Sequence, residues 1–113
     1  MIDEQEAYTQ VLDWLDEERT YTLEKFGSED DRRHTRQWMD RTDFAMTDWW
    51  TQQFDNYYHR AWLLGLDTPG GRQALAKFVA TAAGMLAAAV QEYGKIPKAG
   101  LPSGYFEKVS GDN

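Results

Sequence analysis

The segment Thr68-Pro69-Gly70-Gly71-Arg72 contains residue types that suit anion binding at the start of a helix. The N–H groups of the first helical turn can bind a phosphate, and glycines let the phosphate approach the backbone closely. Arg72, and Lys77 further along the same helix, add positive charge. The other interpretation is an ordinary helix cap whose glycines serve only the preceding turn, and the sequence leaves both open.

A second group of polar and aromatic residues precedes this segment, at Tyr57-Tyr58-His59-Arg60. A short turn would bring some of them close to the start of the next helix, where tyrosines could stack on a base and an arginine could contact phosphate. Packing of these tyrosines in the core is the alternative. The sequence thus predicts a site for a small anionic, nucleotide-like ligand, formed by Tyr57, Tyr58, Arg60, Gly70, Gly71, Arg72 and Lys77.

Carboxylates suggest a different chemistry in the first helix. Asp13 and Glu17 share a face at a spacing of four residues, and Glu24 lies two turns further on. The all-α nucleotide pyrophosphohydrolases hold Mg²⁺ with acidic pairs on two helices, because several oxygens must converge on this cation. The second pair is missing here, since the segment 50–64 has only Asp55. A divergent Mg²⁺-dependent pyrophosphohydrolase is therefore the alternative, and we predict no catalytic residues, metal or cofactor.

Other catalytic patterns are missing from the sequence. The two histidines, His34 and His59, do not have the spacing of metal ligands, and there is no phosphate-binding loop of the GxxxxGK[ST] type. The chain has no cysteine, which excludes disulfides and thiolate chemistry. These observations favour a non-enzymatic binding protein over an enzyme.

The charge of the chain limits which partners it can bind. The net charge of −7 argues against general nucleic-acid binding. Residues 1–31 have eleven acids against two bases, which is −9, and the other residues have eight acids against ten bases, which is +2. An acidic adaptor for a basic partner protein is thus a second alternative function. The acidic N-terminus has no apolar run typical of a signal peptide, so we expect a cytoplasmic protein.

Hydrophobic spacing and cap residues predict an all-α fold in which one helix organises the others. Thr68 and Pro69 suit the start of that helix, and Gly94 suits the residue after its end at Tyr93. Small residues every four positions predict close contact with another helix: Ala76, Ala80, Gly84 and Ala88. A membrane span is not expected, because charged and polar residues interrupt the apolar run: Arg72, Lys77, Gln91 and Glu92.

The remaining segments complete a predicted bundle of three to four helices over residues 1–94. A helix is expected over residues 3–26, with Gly27 at its end and a capping box from Ser28 to Asp31. We interpret residues 32–36 as a connector or a first helical turn, with Thr35 as a possible cap. Residues 37–64 form either one helix or two with a kink near 42–47. Residues 95–113 are rich in Pro and Gly, and this composition predicts an irregular C-terminal tail.

Aromatic residues make up 14% of the chain, including five Trp and six Tyr. So many rings exceed what three helices of this length bury in one monomer, so some are expected at an interface. The composition therefore predicts a homo-oligomer.

The run Glu18-Arg19-x-Tyr21-x-x-x-Lys25-Phe26-Gly27 resembles the ER-x-Y-Q-D-x-K-W-G motif of small, uncharacterised bacteriophage helical proteins, some loosely called MazG-like. This chain departs from that motif at Thr22, Leu23 and Phe26. The further matches keep the order of the family over about residues 18–90: Asp30, Asp31, His34, Thr35, Trp38, Tyr57, Arg60, Ala61, Arg72, Ala74, Leu75 and Lys77. The ending GKIPKAGLPSG is similar to actinobacteriophage proteins. The resemblance implies a viral protein, and we expect counter-defence by sequestering a nucleotide signal or blocking a host protein.

Overall fold

A computed structural model describes residues 1–40 and 49–97. These residues form four helices and no strand: α1 (Glu4–Phe26), α2 (Ser28–Trp38), α3 (Trp49–Leu64) and α4 (Pro69–Tyr93). The predicted all-α bundle is confirmed. The predicted kink near 42–47 and most of the predicted tail, residues 98–113, lie outside the described residues. The boundary between bundle and tail at residue 94 stays a prediction.

Local signals set both ends of α1. The side chain of Asp3 accepts a hydrogen bond of 2.8 Å from the N–H of Glu6, which caps the first turn. At the other end Gly27 has a φ of 77°, and its N–H donates to the carbonyl of Leu23 at 2.9 Å. This positive φ is one that glycine adopts easily, and it separates α1 from α2 with a single residue.

The segment after Gly27 corrects three of the predictions. Residues 28–38 form one continuous helix rather than a cap and a connector. The capping box is wrong, because Gly27 is the N-cap and no side chain hydrogen-bonds to cap this helix. Thr35 is buried inside α2, where its Oγ1 accepts a hydrogen bond of 3.1 Å from Trp50 Nε1, so it is not a cap residue.

The turn between α3 and α4 depends on a very close backbone approach. Thr68 caps α4 as predicted, with its Oγ1 accepting from the N–H of Gly71 at 3.0 Å. Gly71 is buried against the preceding turn, and a Cβ added to it would lie 1.7 Å from the carbonyl oxygen of Gly65. No residue except glycine fits at this position without moving the backbone. The close contact predicted for this helix therefore includes its first turn.

Aromatic rings fill the space between α2, α3 and α4. Trp50 is the centre of this core, with 1% of its surface exposed. Its ring stacks on Phe54 at 6.2 Å between centroids, and Phe54 contacts Phe78 of α4 at 5.5 Å. Small residues complete the buried set: Ala61, Ala74 and Ala88. Burial of these rings joins the three helices around one apolar centre.

Ion pairs join α2 to the C-terminal end of α4. Glu92 accepts hydrogen bonds of 2.7 Å from Arg32 Nε and from Arg36 Nη1. These two guanidinium groups, Arg32 first, lower the pKa of Glu92 below its ordinary value of 4.5. Arg36 also hydrogen-bonds to Glu29, which is the largest cause of the raised pKa of its guanidinium. This cluster helps to explain why a very polar segment forms a helix here.

Within the described residues, α4 is also the one helix long and apolar enough to cross a membrane by length and composition. The core helix of a soluble protein meets the same criterion. Here the small buried residues of α4 pack inside the bundle, and its Lys77 and Glu92 pair with α1 and α2. Only 17% of its apolar window is buried within the described residues, and the expected absence of a membrane span stays a prediction.

Candidate functional site

The clearest candidate site is a cavity of about 450 Å³ lined by residues of all four helices, called here the interhelical cavity. Its volume lies in the range of small-molecule sites, roughly 300–1,000 Å³. Aromatic side chains form much of its wall: Tyr21, Phe26, Trp49, Trp50 and Tyr57. A wall of this kind suits the flat face of an aromatic ligand.

Charged side chains line the same cavity in pairs. Arg19 Nη1 donates to Asp31 Oδ2 at 2.8 Å, and the two side chains are 26% and 10% exposed. Lys77 of α4 hydrogen-bonds to Glu18 of α1. Because both pairs join different helices, they position the walls of the cavity and contribute to its chemistry.

Gly84 makes room for the first of these pairs. A Cβ on Gly84 would lie 3.1 Å from Arg19 Nη1 and 3.3 Å from Asp31 Oδ2. The regular spacing of small residues predicted close helix packing at Gly84, and the structure shows an ion pair seated over it. The floor of the cavity is therefore a part-buried pair of opposite charges on a helix backbone.

A third acid of the lining, Asp30, connects the cavity to His34, whose Nδ1 is buried. Asp30 Oδ1 accepts from Arg33 Nη2 at 2.8 Å, and its Oδ2 lies 3.7 Å from His34 Nδ1. His34 is 11% exposed at its side chain and stacks on Trp49 at 4.4 Å between centroids. Its Nδ1 has no hydrogen-bond partner among the described residues. His34 thus packs against Trp49, which is part of the aromatic wall.

The structure divides the residues of the predicted site among three places. Tyr57 and Lys77 line the interhelical cavity. Tyr58 and Arg60 line a shallow surface depression of about 530 Å³ whose lining residues all belong to α3. Tyr58 is 61% exposed, and Arg60 donates to Asn56 Oδ1 at 3.4 Å. The residues of the Tyr-Tyr-His-Arg run are therefore divided between two surfaces.

The remaining three predicted residues, Gly70, Gly71 and Arg72, line neither the cavity nor the depression. The N–H groups of Gly71 and Arg72 donate to the side chain and the carbonyl of Thr68. The Arg72 guanidinium donates to the carbonyl of Leu66 at 2.9 Å. Thr68 therefore takes up two of the N–H groups that the predicted anion site would use.

Two residues of the cavity that the sequence did not single out as site residues are Arg19 and Asp31. Arg19 is one of only two bases among the first 31 residues, and this isolation was the available signal. The carboxylates of the alternative metal site, Asp13, Glu17 and Glu24, are exposed on α1. Among residues 1–40 and 49–97, no three His, Asp or Glu side chains come together as a metal site requires.

Comparison of the chain with protein-family models, with curated proteins and with solved structures finds no match. The resemblance to phage proteins therefore stays a prediction from the motifs.

Proposed function

We propose that this protein is a non-enzymatic binding protein that holds a small, nucleotide-like ligand in the interhelical cavity. The observation that carries the proposal is the aromatic wall, with Tyr57 facing a space of about 450 Å³. The dispersed carboxylates of α1 support binding rather than metal-dependent hydrolysis. In the phage context implied by the motifs, such a protein would act against host defence by sequestering a nucleotide signal.

We place the proposed site in the interhelical cavity and not at the start of α4. Arg72 and Arg60, two of the cations predicted to contact the ligand, each donate to a neighbouring group outside the cavity. Lys77 lines the cavity but hydrogen-bonds to Glu18. The cavity is a partly open cleft between four helices with an aromatic wall, which a surface-exposed cap does not provide.

Binding can be measured by isothermal titration of the purified protein with a panel of nucleotides, beside Tyr57→Ala and Arg72→Ala variants. We expect Tyr57→Ala to weaken binding at least about tenfold, a loss of about 1.4 kcal/mol, and Arg72→Ala to leave it unchanged. The reverse pattern would place the site at the start of α4. No binding by the unchanged protein would contradict the proposal, and release of pyrophosphate with Mg²⁺ would favour the pyrophosphohydrolase alternative.

A protein partner, either a second copy or a host protein, is the second candidate. Large apolar side chains near the end of α3 are exposed, with Trp62 at 73%, Leu63 at 63% and Leu66 at 53%. Exposed clusters of this kind are typical of contact surfaces between proteins, and buried Trp residues often dominate binding there. Native mass spectrometry of protein purified from cells tests both candidates, because it reports subunit number and any bound small molecule together.

A further inference from the structure

We propose that the interhelical cavity receives an uncharged, planar aromatic heterocycle of the nucleobase type, and that any phosphate of the ligand stays in solvent. This inference rests on the proposed function, because it names the part of a nucleotide-like ligand that the same cavity holds. The supporting observations are the charge state of the lining and the residues that form its aromatic wall.

Every charged side chain of the lining already has a partner of opposite sign. Arg19 pairs with Asp31, Lys77 pairs with Glu18, and Asp30 pairs with Arg33 at the rim. Together with Arg33 these groups are three acids and three bases, so their charges cancel. Among the described residues, an added phosphate would therefore find no unpaired cation in the lining.

Replacing one of these pairs by a phosphate contact is unfavourable. Asp31 is only 7% exposed, and its partner Arg19 lies over Gly84. If a phosphate drew Arg19 away, the carboxylate of Asp31 would remain nearly buried and unpaired, which is costly. An uncharged ligand leaves the pair intact.

The rest of the lining suits such an uncharged ring. Trp49 and Tyr57 are only partly buried and provide aromatic surfaces on which a heterocycle can stack. Gln53 and Tyr57 add an amide and a hydroxyl, which can donate to and accept from the polar edge of a base. Stacking and edge hydrogen bonds are sufficient to recognise a nucleobase without a phosphate contact.

The experiment titrates the full-length protein with adenosine, guanosine, cytidine and uridine, and with the 5′-monophosphate and 5′-triphosphate of each. Tryptophan fluorescence follows binding, because Trp49 and Trp50 line the cavity, and calorimetry gives the dissociation constants. We expect at least one nucleoside to bind, with its mono- and triphosphate no more than about threefold tighter, a difference well under 1.4 kcal/mol.

The outcomes separate this inference from the proposed function. Affinity that rises about tenfold or more with added phosphate, or binding of nucleotides without nucleosides, overturns the inference and leaves the proposed function standing. If neither nucleosides nor nucleotides bind, both are wrong.

Two variants and one control locate the ligand. Tyr57→Ala should weaken nucleoside binding at least about tenfold, whereas Tyr93→Ala should not, because Tyr93 is exposed at the end of α4. Lys77→Gln should change nucleoside and nucleotide affinity by the same factor. A loss confined to the nucleotides would show a phosphate contact and overturn the inference, as would unchanged binding in Tyr57→Ala. Circular dichroism checks that each variant is folded.

Discussion

The α3–α4 hairpin and α1 are joined to the bundle by different kinds of contact. In the hairpin, Gly71 packs on the backbone of Gly65, and Phe54 contacts Phe78. By contrast, α1 has no buried residue in 23, and ion pairs made by Glu18 and Arg19 join it to α4 and α2. The hairpin therefore depends on shape, and the position of α1 depends on charge.

This difference matters for the interhelical cavity, because the cavity lies between the two regions. Tyr57 belongs to the hairpin, whereas Glu18 and Arg19 belong to α1. Close packing fixes the aromatic side of the cavity, whereas the ion pairs on the charged side are weakened by salt. We infer that ligand binding depends on ionic strength through the position of α1, even for an uncharged ligand.

The largest effect on stability is expected from Gly71→Ala, which tests the shape dependence of the hairpin. The added Cβ would lie 1.7 Å from the carbonyl oxygen of Gly65, so the backbone must move. We expect a loss of about 3 kcal/mol or more in the free energy of unfolding, measured by urea denaturation.

The neighbouring Gly70→Ala is the matched control. Its Cβ would meet only the side-chain Cδ1 of Leu64 at 3.3 Å, which can rotate away. We expect a change within about 0.5 kcal/mol, because alanine also favours the helix. Equal losses in the two variants would contradict the close approach at Gly71.

Breaking the ion pair of α1 should have the second largest effect. Asp31→Asn removes the charge that pairs with Arg19 while keeping the size of the side chain. We expect a loss of about 2 kcal/mol, since Asp31 is nearly buried and hydrogen bonds to charged groups contribute about 1.5–3 kcal/mol.

Arg33→Gln provides the control for this prediction. It breaks the pair with Asp30, in which the arginine side chain is 64% exposed. An exposed pair contributes about 0–1 kcal/mol, so the loss should be clearly smaller. Thermal unfolding monitored by circular dichroism compares the two variants, and similar losses would show that burial of Asp31 has no effect.

How much of this structure the sequence predicted depends on how local the signals are. The end of α1 and both ends of α4 follow from residues within one turn, namely Gly27, Thr68 and Gly94, and these predictions are confirmed. The length of α2 was not predicted, because its residues have no apolar stripe. Its arginines pair with Glu92, about sixty residues away, and no local pattern reveals that contact.

The candidate site shows the same limit. Tyr57 and Lys77 were predicted from their residue types, but the grouping with Gly70 and Arg72 assumed that sequence neighbours share a surface. The structure brings Arg19 and Asp31 together instead, through the single-residue turn at Gly27. Gly84 of α4 leaves the space for this ion pair. The periodic spacing of small residues alone could not predict that it does so.

A third prediction concerns pH and the contact between α2 and α4. Arg32 and Arg36 lower the pKa of Glu92 in the folded protein below its ordinary value of 4.5. The ionised Glu92 therefore stabilises the folded state at any pH above 4.5. This stabilisation is lost as the pH falls from 4.5 through the lowered pKa. Glu92→Gln should therefore be less stable than the unchanged protein at neutral pH.

The difference in stability between these two proteins should shrink steadily as the pH falls below 4.5. Urea denaturation at several pH values measures it. Glu17→Gln is the control, because Glu17 is exposed and has no ion pair within the described residues. A difference that stays constant with pH would mean that Glu92 stabilises the fold through packing alone.

The smallest effect on the folded subunit is expected from Leu12→Glu, which tests whether charge alone holds α1. Tyr8, Val11 and Leu12 form an apolar stripe on α1, yet they are 59%, 46% and 45% exposed. Within one subunit the substitution should change the free energy of unfolding by less than about 0.5 kcal/mol.

If the proposed homo-oligomer buries this stripe, the new charge will lower the mass measured by light scattering. Gln10→Glu is the control, because it adds the same charge outside the stripe and should leave the mass unchanged. If the mass is unchanged in both variants, this face of α1 does not belong to the subunit interface.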